Sequence, residues 1–316
     1  MNTIPYKAFE LCINLTSIVI PDSVDIIDDS AFKDCHDLAN IVISSGVTNI
    51  GGGAFSGCES LGSISIPGSL THIGVGAFEN CKSLTSIMIP ESVISIGSAP
   101  FAGCSLLSQI DISENNQYYQ SINGNLYTKD GKELIQYALG KREKTFIIPG
   151  FVTKIGNEAF RGSSVQSIEI PDSVTDIGYS AFASSSIRSI EIPNSVTVIR
   201  DNTFNACKYL STAIIGNSVI SIGKKAFSGC SSLKNLTIGS SVDSIYQEAF
   251  LECSSLKNLI IADSVDSIGK KAFYQCSSLE NLTMGASVTD IGEDAFWGCK
   301  LINNITFNGN VPLYSY

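Results

Sequence analysis

Histidine, tryptophan and charge are scarce in this chain. Its 316 residues include two histidines, one tryptophan and 16% charged side chains. Two histidines give little material for a catalytic triad or a zinc site, and His36 and His72 share no ligand spacing, so both read as surface residues. No Cys-x-x-Cys pair occurs, no Gly-x-Ser-x-Gly elbow occurs, and Gly51-Gly52-Gly53 lacks the lysine of a phosphate loop. Catalytic, cofactor and metal sites are therefore all expected to be absent. No basic run exceeds a pair and the net charge is −10, which argues against nucleic acid and anionic membrane surfaces as partners. No apolar run is long enough for a membrane span. The opening MNTIPYKAFELC lacks the basic start, apolar middle and small-residue cleavage site of a secretory signal. It looks instead like the second half of a repeat (compare SIGKKAFSGC at 221–230), so the chain is expected to begin mid-repeat.

What the chain does have is a period. Phenylalanines stand at 9, 32, 55, 78, 101, 160, 182, 204, 227, 250, 273 and 296, in steps of 23 or 22 residues broken by one step of 59. All ten cysteines sit three residues after one of them. A period of this length predicts a solenoid with one short coil per repeat.

One clean unit, Leu84 to Cys104, reads LTSIMIPESVISIGSAPFAGC. Ile87 and Ile89, in period 2, point inward from a short strand that Pro90 ends. Val93 and Ile96 supply an apolar pair on the opposite wall, Gly97 supports a turn, and Phe101 fills the centre. The strand recurs at ends Ile20, Ile43, Ile66, Ile89, Ile112, Ile148, Ile170, Ile192, Ile215, Ile238, Ile261, Met284 and Phe307. The expected fold is a right-handed leucine-rich-repeat solenoid. About thirteen short parallel strands would form one curved sheet, each adding about 4.8 Å, with turns or short helical segments on the other side.

A lone coil leaves both faces wet, so only stacking offsets the entropy of ordering it. Neither MNTIPYK nor NVPLYSY resembles a polar cap. The expectation is a fragment, or ends covered by another domain or by end-to-end contacts with another chain.

One interruption stands between Ile112 and Ile148. Asn123-Gly124 and Asp130-Gly131, each flanked by apolar or aromatic residues, predict tight turns. The reading is a β-hairpin or three-stranded flap carrying Tyr118, Tyr119, Tyr127 and Tyr137, after which Phe146 and Ile148 resume the sheet. The next two repeats are one residue shorter and place Ser163 and Ser185 where the others have cysteine. The expected organisation is one solenoid domain over 1–316, with five repeats in 1–112, the insertion in 113–147 and the remaining repeats in 148–316.

The motif IP-x-S-V-x-x-I-G-x-x-A-F-x-x-C-x-S-L stands here as IPDSVTDIGYSAF at 170–182 and SIGKKAFYQCSSL at 267–279. It resembles the BspA-like leucine-rich repeat family of the Treponema pallidum type, over essentially the whole chain. The stretch NNQYYQSINGNLYTKDGKELIQY is similar to an insertion found in that family. The resemblance implies a cell-surface or secreted protein engaged in adhesion to host or microbial partners. It implies no catalytic residues.

Several groups of residues are candidates for chemistry or contact. The cysteines read as a reduced inward ladder, since side chains in register point the same way and are poorly placed for bridging. One or two disulfides, or a thiolate metal site, are the alternatives. On the outward strand positions lie Asn235, Asn258, Asn281 and Asn304, which serve either as a solvated amide ladder or as a surface for a protein or glycan. Leu251, Tyr274 and Trp297 follow the repeat phenylalanine in three consecutive coils and read as an exposed stripe suited to an interface. Tyr118, Tyr119 and Tyr127 of the insertion complete the set. Asn14, Asn235, Asn281 and Asn304 open Asn-x-Thr triplets, which repeat bias alone can produce. The expected function is non-enzymatic binding of a host or microbial protein or glycan. The alternative is a structural spacer that displays another domain of a larger protein.

Overall fold

The computed structural model describes residues 2–309, so the NVPLYSY segment lies outside the described residues. Two compact units are present, one of residues up to 142 plus 156–160 and the other of 143–155 plus the residues from 161 onward. Each is a stack of coils built entirely from strands and turns. No helix occurs among the described residues, so the expected short helical segments are turns instead.

Each coil contributes a main strand whose side chains alternate outward and inward, as in Asn40–Ile43 and Ser86–Ile89. In the first unit Ser17–Ile20 pairs in parallel with Asn40–Ile43, and Ser86–Ile89 with Gln109–Ile112. In the second, five parallel strands run from Thr145–Ile147 to Asn235–Thr237, and three more from Asn258–Ile260 to Asn304–Phe307. Twelve strands thus occupy the thirteen expected places, because residues 63–66 keep the sequence pattern without strand pairing.

A second parallel ladder runs through each coil. It consists of two-residue strands such as Ile26–Ile27, Asn49–Ile50 and His72–Ile73 in the first unit. Ser221–Ile222, Ser244–Ile245 and Ser267–Ile268 are examples in the second. The inward Ile of each pair is the wall position that periodicity marks as apolar.

The remaining side is a turn centred on the core phenylalanine. The residues two before and two after that phenylalanine both have positive φ, as at Ser180 (53°) and Ser184 (57°) around Phe182, or Lys225 (55°) and Gly229 (71°) around Phe227. This double left-handed kink folds the chain around the ring. The Phe N–H is then free to donate to the next coil, as from Phe32 to the Ala54 carbonyl at 2.8 Å.

The rings stack at centroid separations of 5.1–5.7 Å from Phe9 to Phe101, and of 4.9–5.3 Å from Phe182 to Phe296. Offset stacking of this kind adds to the burial of large apolar rings.

Nine of the ten cysteines donate their S–H to the carbonyl of the phenylalanine one coil earlier, at 3.0–3.4 Å. All ten are free thiols. The tenth, Cys12, is exposed rather than inward, because among the described residues no coil covers it on that side.

Inside the first unit, Tyr119–Ile122, Asn125–Thr128 and Glu133–Gln136 form an antiparallel three-stranded flap. Asn123 and Gly124 join the first two strands with φ of 49° and 71°, as a tight primed turn requires. Asn116 pins the entrance. Its amide nitrogen donates to Pro90 and Val93 carbonyls at 3.0 and 2.9 Å, and its oxygen accepts from the N–H groups of Tyr118 and Tyr119.

Candidate binding faces

The outward side of the main strands is the most regular surface. In the second unit Asn258, Asn281 and Asn304 stand in register on adjacent strands and are exposed. The Asn281 amide donates to the Asn258 side-chain oxygen at 2.7 Å, and Asn235 reaches the Thr212 hydroxyl at 3.4 Å. Asparagines at coil spacing thus satisfy one another along the stack and leave outer donors and acceptors to solvent.

The next outward row mixes Thr237, Thr283 and Thr306 with exposed Ile214 and with Ile260, which is 69% exposed. Glu169 and Glu191 carry this row onto earlier strands, where a groove of about 710 Å³ opens between the strand face and the loops at Asn194 and Asn217. The same row in the first unit is aliphatic, with Val19, Val42 and Met88 exposed. A patterned face of amides beside isolated aliphatics gives a partner hydrogen-bond register and apolar footholds.

The Leu251, Tyr274 and Trp297 stripe is less open than its sequence positions suggest. Trp297 is 53% exposed, whereas Leu251 and Tyr274 are half-buried. Tyr274 and Trp297 stack at 4.7 Å with planes 13° apart, and the Lys271 ammonium lies 5.2 Å from the Tyr274 ring centre. Stacking at coil spacing hides the facing ring surfaces, so Trp297 presents the wide apolar surface.

The insertion tyrosines divide. Tyr118 is exposed. Tyr119 is half-buried, and its hydroxyl accepts from the Ile96 N–H at 2.8 Å, while burial raises its pKa. Tyr127 is 1% exposed, and burial pushes its phenol up to about 12. As a contact residue Tyr127 is a misreading: it lies on the middle strand of the flap, where Asn125, Leu126 and Tyr127 are all buried.

The buried thiols of Cys35, Cys58 and Cys207 are equally unsuited to chemistry. Burial pushes Cys35 and Cys207 up to about 11, and raises Cys58 further. A protonated, buried thiol that donates to a carbonyl is neither a nucleophile nor a metal ligand.

A second groove, unmarked by motif or composition, runs along the turns of the second unit. It has a volume of about 620 Å³ and is lined by the residues four positions after successive core phenylalanines. The available sequence signal was that row itself: Lys208, Ser231, Ser254, Ser277, Lys300. In the first unit the corresponding row is His36, Glu59, Lys82, where Lys82 and Glu59 pair at 2.8 Å.

Six copies of a BspA type leucine-rich repeat region match the chain over residues 2–127, 140–254 and 198–315. A leucine-rich repeat protein of Eubacterium ventriosum superposes with a TM-score of 0.84 at 27% identity, covering 94% of this chain and 80% of that one. One from Bacteroides ovatus is 30% identical, with a TM-score of 0.56 and coverage of 96% and 81%. A leucine-rich cell surface protein of Faecalibacterium prausnitzii is 26% identical, with a TM-score of 0.54 and coverage of 94% and 80%. No curated protein matches the chain.

Proposed function

The chain belongs to the BspA type leucine-rich repeat family, and from that premise we propose that it is a non-enzymatic binding protein. It acts at a cell surface or after secretion, and holds a host or microbial protein or glycan against the outward faces of its coils. The observation that carries this reading is the outward row on the main strands, where in-register amides lie beside exposed Ile214 and Ile260. Solenoid faces of this kind serve as extended binding surfaces. The cell-surface description of the Faecalibacterium prausnitzii relative supports the location. No helix among the described residues is long and apolar enough to cross a membrane.

The test is a binding screen of the purified chain against extracellular-matrix proteins, glycans and bacterial surfaces. It includes one variant with Asn235, Asn258 and Asn281 all changed to Arg, and another with Leu251, Tyr274 and Trp297 all changed to Ser. A saturable signal lost in the first variant places the partner on the strand face, and loss in the second places it on the stripe. Silence across the whole panel rejects the binding reading in favour of a structural spacer.

A further inference from the structure

The groove along the turns of the second unit gathers polar side chains that, among the described residues, no neighbouring side chain pairs with. Several charged side chains of the surface pair with a neighbour about one coil away, as in Lys225–Glu248 at 3.2 Å, Lys257–Glu280 at 3.5 Å and Arg200–Asp176 at 3.0 Å. In the groove Lys208, Glu252 and Lys300 make no ion pair, and the Gln275 amide makes no side-chain hydrogen bond, among the described residues. Ser228 lines the same groove with only 7% of its surface exposed, and its hydroxyl has no partner among the described residues. That oxygen is not buried with the rest of the residue, so it is open to a ligand in the groove.

The backbone of the floor is already committed. The N–H groups of Gly229, Glu252 and Gln275 donate to the carbonyls of Leu251, Tyr274 and Trp297 at 2.7–2.8 Å. An extended peptide, which binds by adding a strand through main-chain bonds, therefore finds no free donors here. Recognition has to run through hydroxyls, the amides of Asn205 and Gln275, a carboxylate, two ammonium groups and the indole of Trp297. That set suits a ligand rich in hydroxyls with apolar ring faces. Its central carboxylate, in a chain of net charge −10, disfavours a polyanion.

Spacing narrows the class further. Consecutive coils here stand 5.1–5.3 Å apart, judged by the core rings at 250, 273 and 296. This is close to the rise of one sugar in an extended β-1,4-linked chain. Ser231, Ser254 and Ser277 then each lie beside one sugar, alternate sugars turning opposite edges to the row, and Trp297 offers its apolar surface to a pyranose ring at one end.

We propose that this turn-side groove binds an extended, uncharged β-1,4-linked glycan, with one sugar per coil. The proposal rests on the reading of the chain as a binding protein and gives that reading a ligand class at a face of its own.

Trp297 is the only tryptophan of the chain, and it lines both this groove and an apolar cavity beside Met284 and Phe307, so Ser254→Arg, which touches the groove alone, tells the two apart. The experiment titrates the intact chain with cellohexaose and with the β-1,4 hexamer of N-acetylglucosamine, followed by Trp fluorescence and calorimetry. Maltohexaose, whose α-1,4 links curl the chain, is the shape control. At least one β-linked hexamer is expected to shift the emission and bind at least tenfold more tightly than maltohexaose. Trp297→Ala is expected to lower calorimetric affinity at least tenfold, Ser254→Arg to abolish binding by filling the floor, and Lys234→Ala, outside the groove, to leave it unchanged. Circular dichroism melting verifies that each variant is folded. Absence of binding by both β-linked hexamers, equal binding of maltohexaose, or full binding by folded Ser254→Arg would overturn the proposal. If a matrix protein still binds the strand face in those cases, the binding reading stands without the glycan; if nothing binds, both fall.

Discussion

Tyr137 stacks on Phe160 with ring centroids 4.9 Å apart, and its N–H donates to the Ala159 carbonyl at 3.0 Å, the same bond that Phe32 and Phe227 make to the next coil. It is a rung of the aromatic ladder, fully buried. Its carbonyl accepts from the Gln136 amide at 3.1 Å, where other rungs accept from a thiol. Tyr137→Ala is expected to cost about 3–5 kcal/mol, the loss typical of a large buried aromatic. Tyr118→Ala, on the exposed rim of the same flap, is expected to stay within about 0.5 kcal/mol. Urea unfolding of both variants checks the difference, and equal losses would remove Tyr137 from the core.

The buried thiols make stability depend on alkaline pH. Cys207 has an ordinary value of 9.0 and is pushed up to about 11 by burial in the fold. Above pH 9 the unfolded chain releases this proton while the native chain keeps it, so the unfolded state gains. The contribution is therefore complete below pH 9 and is lost as pH rises through 11. Melting temperature is expected to fall across that window and to fall less steeply in Cys207→Ala, measured by calorimetry in matched buffers.

Reactivity follows the same burial. In native protein a maleimide or disulfide reagent is expected to modify Cys12 alone, and in denaturant without reductant all ten thiols. A denatured count well short of ten would establish bridges.

The paired left-handed residues give a stabilising substitution. Ser180 holds φ at 53° with a side chain that gains nothing from it. Because glycine enters this region without the cost of roughly 1–2 kcal/mol that an L-residue pays, Ser180→Gly is expected to raise stability, by up to about 1 kcal/mol after glycine's own entropy loss. Ser180→Val is expected to lower it. Chemical denaturation midpoints decide, and a destabilised glycine variant would contradict the account.

Close approach of coils gives the opposite case. A Cβ on Gly74 would lie 2.4 Å from the Gly51 carbonyl carbon and the Gly52 nitrogen, both backbone. Gly74→Ala is expected to cost about 1–3 kcal/mol through overpacking. Gly150→Ala, where nothing lies within 4 Å, is expected to be near neutral.

Much of this architecture could be read from the sequence because burial repeats. Phenylalanine, cysteine and the alternating isoleucines recur wherever the interior demands the same volume, so period located the strands and the wall, and Asn123-Gly124 and Asp130-Gly131 in its one interruption located the flap. Tyr137 escaped because the long step from Phe101 to Phe160 conceals a normal 23-residue step behind a change of residue. The left-handed positions escaped for a different reason: they are occupied by Lys, Glu, Ser, Asn, Ala or Gly alike, so no residue type marks them. Tyr127 and Trp297 show the limit for the candidate faces. One aromatic is buried by strands on both sides and the other is open, and neither fate is written in local composition. The groove was hardest, since it depends on which polar groups lack a partner one coil away.

Each buried thiol reaches back to the ring residue of the coil before it, while ring N–H groups such as those of Phe32 and Phe227 reach forward. A coil that has just formed therefore ends on an open Phe carbonyl, the same edge that the previous coil offered. Within either unit the chain grows like a wall laid in courses: what the newest course requires does not depend on how many lie beneath. Copy number is then a quantity that evolution can dial almost independently of sequence, since gain or loss of one whole course leaves every remaining seam intact.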